Sequence, residues 1–280
     1  MESAFYEPAG PDTYVATAAT IGPWSDDAQH GGPPSALAGR ALERHEPDER
    51  QRLARVAIDI LRPVPVGKVS LRTRMVRPGR RVTLVEAVME SDGQEVLHAR
   101  GWRIERPAGD VPEVADGGGL PAPVPSASAG LAPPIFQARQ HGYLASIEWR
   151  FTPGTSADLA NSGRGQASRG SQSGTVAPVR AAWTRPRIPL LPDEEPSPMS
   201  RALLVADSGS GVGSALPVSD FIFINVDLSV ILSRDPVGDW LLLESSTAVG
   251  PDGTGLAATR LADPLGGFGR GWQTLLIAPR

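Results

Sequence analysis

Arg62-Pro63-Val64-Pro65-Val66-Gly67-Lys68-Val69-Ser70-Leu71 is echoed 171 residues further on by Ser233-Arg234-Asp235-Pro236-Val237-Gly238-Asp239-Trp240-Leu241-Leu242. In both places the shared Pro-Val-Gly turn is followed by an alternating apolar stretch and a glycine turn, Gly79 in the first copy and Gly250 in the second. Each copy closes on a Gly-Trp pair, Gly101-Trp102-Arg103 and Gly271-Trp272-Gln273. There the offset has shortened to 170, as one deletion in a hairpin turn would produce. A self-match of this length implies two similar domains fused head to tail. Duplicated halves pack about a pseudo-two-fold axis, with a ligand site near their seam.

Upstream of the first copy, a short strand is expected over Thr13 to Ala19. A helix follows, entered from the glycine turn His30-Gly31-Gly32 and carrying prolines at its start and Ala, Leu and Arg afterwards. Leu53 to Leu61, Val69 to Arg77, Val82 to Glu90 and Glu95 to Ile104 then read as four strands joined by Pro/Gly and Asp-Gly turns. In the second half, strands are expected at Leu144 to Phe151 and Arg180 to Ile188, a helix near Pro198 to Ala206, and further strands at Phe221 to Leu232, Trp240 to Val249, Gly255 to Ala262 and Gly271 to Ala278. A helix followed by an antiparallel meander is an α+β pattern. The expected domains are residues 1–106 and 139–280, with 107–138 a Pro/Ala/Gly-rich linker. Residues 153–176, rich in Gly and Ser and nearly devoid of apolar side chains, read as a mobile loop. The two sheets are expected to join edge to edge, which covers strand edges that would otherwise be exposed.

Composition narrows the function. Hydrophobic residues are 40% of the 280 and charged residues 21%, as in a globular protein. A net charge of -4 offers no electrostatic footprint for nucleic acid or an anionic membrane. With no cysteine, thiol catalysis, disulfides and cysteine metal sites are excluded. The start, Met1-Glu2-Ser3-Ala4-Phe5-Tyr6-Glu7, lacks the basic and apolar regions of a signal peptide, and no apolar run reaches the roughly 20 residues of a membrane span. A cytoplasmic homo-oligomer that binds neither nucleic acid nor membrane is expected.

Helix plus meander, doubled, with these words in it, resembles the TesB-like acyl-CoA thioesterases, which are double-hotdog proteins. The words are His30-Gly31-Gly32-Pro33-Pro34, Arg62-Pro63-Val64-Pro65-Val66-Gly67, Ala206-Asp207, Val226-Asp227-Leu228 and Gly271-Trp272-Gln273-Thr274. Their order and spacing span nearly the whole chain. The resemblance implies two central helices, each wrapped by an antiparallel sheet, an acyl-CoA or acyl-carrier thioester as substrate, and no cofactor or metal. It also implies a site in which an Asp on the second central helix, a Thr on the next strand and a Gln on the final strand activate a water. Asp207 and Gln273 fall at the first and last of these positions, and Asn225 stands where the family's typical member has Thr.

The chemistry is coherent without the family. Hydrolysing a thioester needs a base near the attacking water and donors for the developing oxyanion. A carboxylate on a packed helix can supply the first, and backbone N–H groups at a helix start the second. Asp207 could instead be a capping residue beside Gly209, and Gln273, taken alone, a solvated strand position. His30-Gly31-Gly32 is similar to the oxyanion loop of esterases, but no Gly-x-Ser-x-Gly partner occurs, so His30 reads as a helix entrance. Gly209-Ser210-Gly211-Val212-Gly213 follows a helix instead of a strand, which argues against a dinucleotide fingerprint. The alternatives are a hotdog hydratase or dehydratase, which would want an Asp–His acid–base pair, and a non-catalytic acyl-thioester-binding protein.

Overall fold

Val56 and Ile58, in phase along one strand, bury their side chains while Arg55 and Asp59 lie toward solvent. This period-two pattern runs through most of the chain and, among the described residues, builds one antiparallel sheet of 13 strands. The computed structural model describes residues 2–128, 132–133, 135–136, 141–153 and 177–280. In chain order the strands are β1 (Tyr6–Gly10), β2 (Thr13–Ala16), β3 (Gln51–Ile60), β4 (Lys68–Arg77), β5 (Val82–Ser91), β6 (Gln94–Glu105), β7 (Ile147–Phe151), β8 (Arg180–Pro186), β9 (Phe221–Asn225), β10 (Asp227–Leu232), β11 (Leu241–Val249), β12 (Thr254–Asp263) and β13 (Gly266–Pro279).

Their spatial order is β1-β2-β4-β5-β6-β3-β10-β13-β12-β11-β8-β7. Read outward from the centre, β3-β6-β5-β4 on one side is answered by β10-β13-β12-β11 on the other, which is the order the internal repeat requires. The seam is the antiparallel pair β3 and β10, centred on Ala57 opposite Ser229, so the sheet is continuous as expected.

Two helices cross the buried face. α1 (Gly32–Arg44) lies against β3, β4, β5 and β6. Between β7 and the preceding chain comes the single turn α2 (Tyr143–Ser146). α3 (Pro198–Ala206) packs on α1, β10 and β12, and α4 (Gly209–Val212) follows it against β11, β12 and β13. α3 is capped at its start by Ser197, whose hydroxyl accepts from the Ser200 N–H, with Pro198 at the first turn. α1 and α3 run antiparallel and very close. A Cβ on Gly32 would come within 2.2 Å of the Leu204 carbonyl, and one on Gly39 within 2.5 Å of Leu203 Cδ1. The His30-Gly31-Gly32 turn is glycine-rich because the start of α1 touches the backbone at the end of α3.

Three expectations need correction. Phe221 to Leu232 is two strands, because pairing with β13 slips by one residue at Val226, between Asn225 opposite Leu275 and Ser229 opposite Trp272. This is a β-bulge, and the Asp227 carboxylate accepts the Thr274 N–H there. Leu144 to Ser146 is helical, so the strand starts at Ile147. The edge strand β1 was not foreseen, since Tyr-Glu-Pro-Ala-Gly carries both Pro and Gly. Beyond Pro153, the Gly/Ser-rich stretch falls outside the described residues.

Candidate active site

The end of α3 delivers Asp207 to the point where α1 begins, and its carboxylate is buried, 5% exposed. Asp207 stands at the C-cap position of α3, but no backbone N–H among the described residues bonds its carboxylate, so the side chain itself caps no helix start. Two side-chain amides hold it instead. Asn225 Nδ2 donates to Oδ1 at 2.8 Å and to the Asp227 carbonyl at 3.0 Å. Gln273 Nε2 donates to the Asp207 carbonyl at 2.9 Å and to Oδ1 at 3.2 Å, while its own oxygen accepts the Ser210 N–H at 2.9 Å. Asp207, Asn225 and Gln273, some 18 and 66 residues apart along the chain, therefore form one cluster.

Local structure explains each position. Gln273 shares the inward face of β13 with Gly271, Leu275 and Ile277 and is 2% exposed, which corrects the solvated reading. Asn225 is the last residue before the bulge, where strand direction and pairing change. Such irregularities re-aim side chains near functional sites. Both donors of each amide are engaged within the protein, so these groups fix the carboxylate. The Asn225 oxygen has no partner among the described residues, and Asn225 lines the cavity.

Against the other carboxylate oxygen stands His30, whose Nδ1 lies 3.2 Å from Asp207 Oδ2. Nδ1 also accepts the Gly32 N–H at 3.0 Å. The imidazole stacks on Tyr143, with ring centroids 3.7 Å apart and planes 7° from parallel. Tyr143 is anchored in turn by its hydroxyl, which donates to the Leu204 carbonyl at 2.8 Å and meets Ser208 Oγ at 2.9 Å. Burial pushes the His30 pKa below its ordinary value, and the Asp207 charge only partly opposes this. Burial raises the Tyr143 phenol well above its usual range, so it stays protonated. The sequence reading treated His30 as a helix entrance and did not single out Tyr143 or Ser208. A His immediately before two glycines at a helix start was the available signal.

The space beside Gly31 is tightly specified. A Cβ there would fall 2.7 Å from Asp207 Oδ2, so the carboxylate lies directly against the α1 entrance. The Gly31 N–H has no hydrogen-bond partner among the described residues. Asp207, Asn225, His30 and Gly31 border a cavity of about 740 Å³, whose remaining walls are largely apolar, including Trp24, Ile60, Leu97, Phe136, Leu144 and Phe223. A cavity with a few polar groups among largely apolar walls suits a ligand with one reactive polar group and a hydrocarbon chain. Among the described residues, no group of three or more His, Asp or Glu could hold a metal ion, and no helix is long and apolar enough to cross a membrane.

Comparison with known proteins gives the family and the fold. Residues 20–104 match the family model for the acyl-CoA thioesterase N-terminal domain, and residues 121–277 match that for the acyl-CoA thioesterase C-terminal domain. No curated protein matches the chain. Among solved structures, a protein assigned as a thioesterase II from Thermobifida fusca shares 19% identity at a TM-score of 0.70, covering 99% of this chain and 96% of that one. The acyl-CoA thioesterase II TesB2 of Mycobacterium marinum shares 16% identity at 0.67, with coverage of 98% and 95%. A hot dog fold protein of Alicyclobacillus acidocaldarius shares 15% identity at 0.68, with coverage of 97% and 95%.

Proposed function

This chain belongs to the acyl-CoA thioesterase family and is a thioesterase, and from that premise we propose that it hydrolyses acyl-CoA thioesters with a water activated by Asp207. In this reading the fold is a double hotdog, with α1 and α3 as the two central helices and residues 1–106 and 139–280 as its halves. The observation that carries the mechanism is the tethering of one carboxylate oxygen by Asn225 and Gln273 while the other faces the cavity entrance of α1.

The acyl chain occupies the apolar cavity and the thioester carbonyl lies beside its polar groups. Asp207 Oδ2, which receives no hydrogen bond from Asn225 or Gln273, accepts a proton from water as the water oxygen bonds to the carbonyl carbon. The carbonyl π pair moves onto oxygen, where the Gly31 N–H stabilises it. Collapse of this oxyanion breaks the C–S bond, expels the CoA thiolate and leaves the carboxylic acid, and the proton on Asp207 passes to the thiolate. Asn225 and Gln273 act by holding the base, and the Asn225 oxygen can accept a hydrogen bond from the same water. A Thr at position 225 would offer one hydroxyl donor where Asn offers two amide donors and an acceptor.

The His30–Asp207 contact also supplies the Asp–His pairing that a hydratase would want. One experiment separates the readings: a panel of saturated and 2-enoyl-CoA chain lengths, followed for free thiol and for loss of enoyl absorbance. Thiol release, lowered about 10²–10⁴-fold in Asp207→Asn as for loss of a general base, supports hydrolysis. Loss of enoyl absorbance with the thioester intact would establish hydration. Binding of acyl-CoA with neither signal would establish a non-catalytic binding protein.

A further inference from the structure

The donors at the entrance of α1 can be counted, and they fall short of what an oxyanion requires. The Gly32 N–H is committed to His30 Nδ1, Pro33 and Pro34 have none, and the Ser35 N–H is bonded to the Gly31 carbonyl. Only the Gly31 N–H is left, whereas oxyanion sites are built from two or more fixed donors. The same hydrogen bond that consumes the Gly32 N–H dictates where a second donor lies. A ring nitrogen that accepts from a backbone N–H carries no proton, so the neutral imidazole of His30 holds its proton on Nε2. Nε2 has no partner among the described residues, and the ring borders the cavity beside Gly31 and Asp207.

We propose that His30 is a catalytic residue whose neutral imidazole donates Nε2–H to the thioester carbonyl oxygen and to the oxyanion formed from it. This rests on the hydrolytic reading above and extends it by one residue. The geometry is preorganised at every point the ring touches. The His30 N–H is bonded to the Thr20 carbonyl, Nδ1 to the start of α1, and the ring face to Tyr143, itself pinned to the end of α3. The titratable groups facing the ring are Asp207 from the end of α3 and Tyr143 from α2. A helix start at Nδ1 and a buried stack both favour the neutral ring over imidazolium. A neutral imidazole is the better partner here, since an imidazolium would ion-pair with Asp207 and weaken the base.

The test uses the whole chain and three readouts. In ¹⁵N NMR of the wild type at pH 7, Nδ1 of His30 is expected as an unprotonated nitrogen and Nε2 as a protonated one. A protonated Nδ1 would overturn the proposal. His30→Phe keeps the stack on Tyr143 but removes the donor, so kcat should fall about 10²–10³-fold with KM changed only a few-fold, as when one oxyanion donor is lost. His30→Gln, which returns an N–H near Nε2, should recover part of that loss. Wild-type kcat in His30→Phe would overturn the proposal. The third readout is the infrared stretch of ¹³C-carbonyl octanoyl-CoA bound to Asp207→Asn. It should lie at lower frequency than in Asp207→Asn/His30→Phe, and equal frequencies would overturn the proposal. A lowered stretch in a protein that never releases thiol would leave the His30 donor standing and remove the hydrolytic reading instead.

Discussion

The antiparallel pair α1 and α3 has two ends, and each presents a carboxylate from the end of one helix to the start of the other. At one end Asp207, after α3, faces Gly31. At the other Glu43, near the end of α1, faces Ser197, the cap of α3. The strand residues beneath correspond in the repeat, Gln273 on β13 and Arg103 on β6, and both are buried, at 2% and 3% exposure. The ends nevertheless have opposite fates. Gln273 donates to the carboxylate of Asp207, whereas Arg103 turns its guanidinium to the last carbonyls of α1, among them Leu42, Glu43 and His45. Ser197 gives its hydroxyl hydrogen to Glu43 at 2.6 Å and accepts the Ser200 N–H at 3.0 Å. Ser197 and Arg103 at the Glu43 end thus serve helix termini, and the space there is about 280 Å³ against about 740 Å³ beside Asp207. There the Ser197 hydroxyl and the Arg103 Nη2 hydrogens are spent on helix ends and on Glu43, whereas at the Asp207 end the Gly31 N–H stays open to the larger cavity.

If the glycine entrance is what distinguishes the Asp207 end, filling it should bring a large loss. Gly31→Ala places a methyl 2.7 Å from Asp207 Oδ2 at a backbone φ of -65° that alanine accepts without strain. The carboxylate must move, and a misplacement of roughly 1 Å costs about 10²-fold in rate. Thiol-release kinetics should show that loss in kcat, with the thermal midpoint nearly kept. Gly32→Ala meets the Leu204 carbonyl instead and should lower the midpoint. Equal kcat in Gly31→Ala and wild type would show that the entrance does not position the base.

Gln273→Ala sharpens the comparison more gently. It removes the Nε2 donor to Asp207 and the acceptor for the Ser210 N–H, leaving Asn225 to hold Oδ1. Losing one hydrogen bond to a charged group corresponds to about tenfold in kcat. A loss as large as that of Asp207→Asn would mean that Gln273 contacts the water itself.

The repeat made the sheet legible because strand phase survives duplication: the turn at Pro65-Val66-Gly67, the Gly79 turn and the Gly101-Trp102 pair fix β3 to β6, and their echoes fix β10 to β13. Asp207, Asn225 and Gln273 were legible through the family resemblance. Gln273 could also have been read as buried from Leu275 and Ile277 in phase with it. The bulge at Val226 was not legible, because Phe221 to Leu232 is uninterrupted by Gly or Pro and the slip is set by pairing with a distant strand. The helix entrance at His30 was legible, but the contacts of its ring were not, for a related reason. Its meaning depends on the end of α3 and on Tyr143, both more than 100 residues away, and local sequence carries no record of that stack.

The smallest effect belongs to the Glu43 end, where a carboxyl with a capping duty should register in stability and not in turnover. Burial raises Glu43 from its ordinary 4.5 to about 7, outweighing the Ser197 hydrogen bond and the charge of Arg103. The folded state therefore holds the Glu43 proton more tightly than the unfolded chain does. Its contribution is complete below about pH 4.5 and is lost as pH rises to about 7, because the unfolded chain gives up the proton first. Glu43→Gln keeps an acceptor for the Ser197 hydroxyl and has no proton to lose, so its stability should not follow that slope. Urea unfolding at pH 5 and pH 8 should show the variant gaining on wild type by on the order of 1 kcal/mol between the two, after allowance for partial solvent contact. Thiol release should stay within about twofold of wild type, the ordinary reach of a substitution remote from the reacting atoms. A variant that loses turnover like Asp207→Asn would mean that both ends of the helix pair are sites, and that the division of labour between them is wrong.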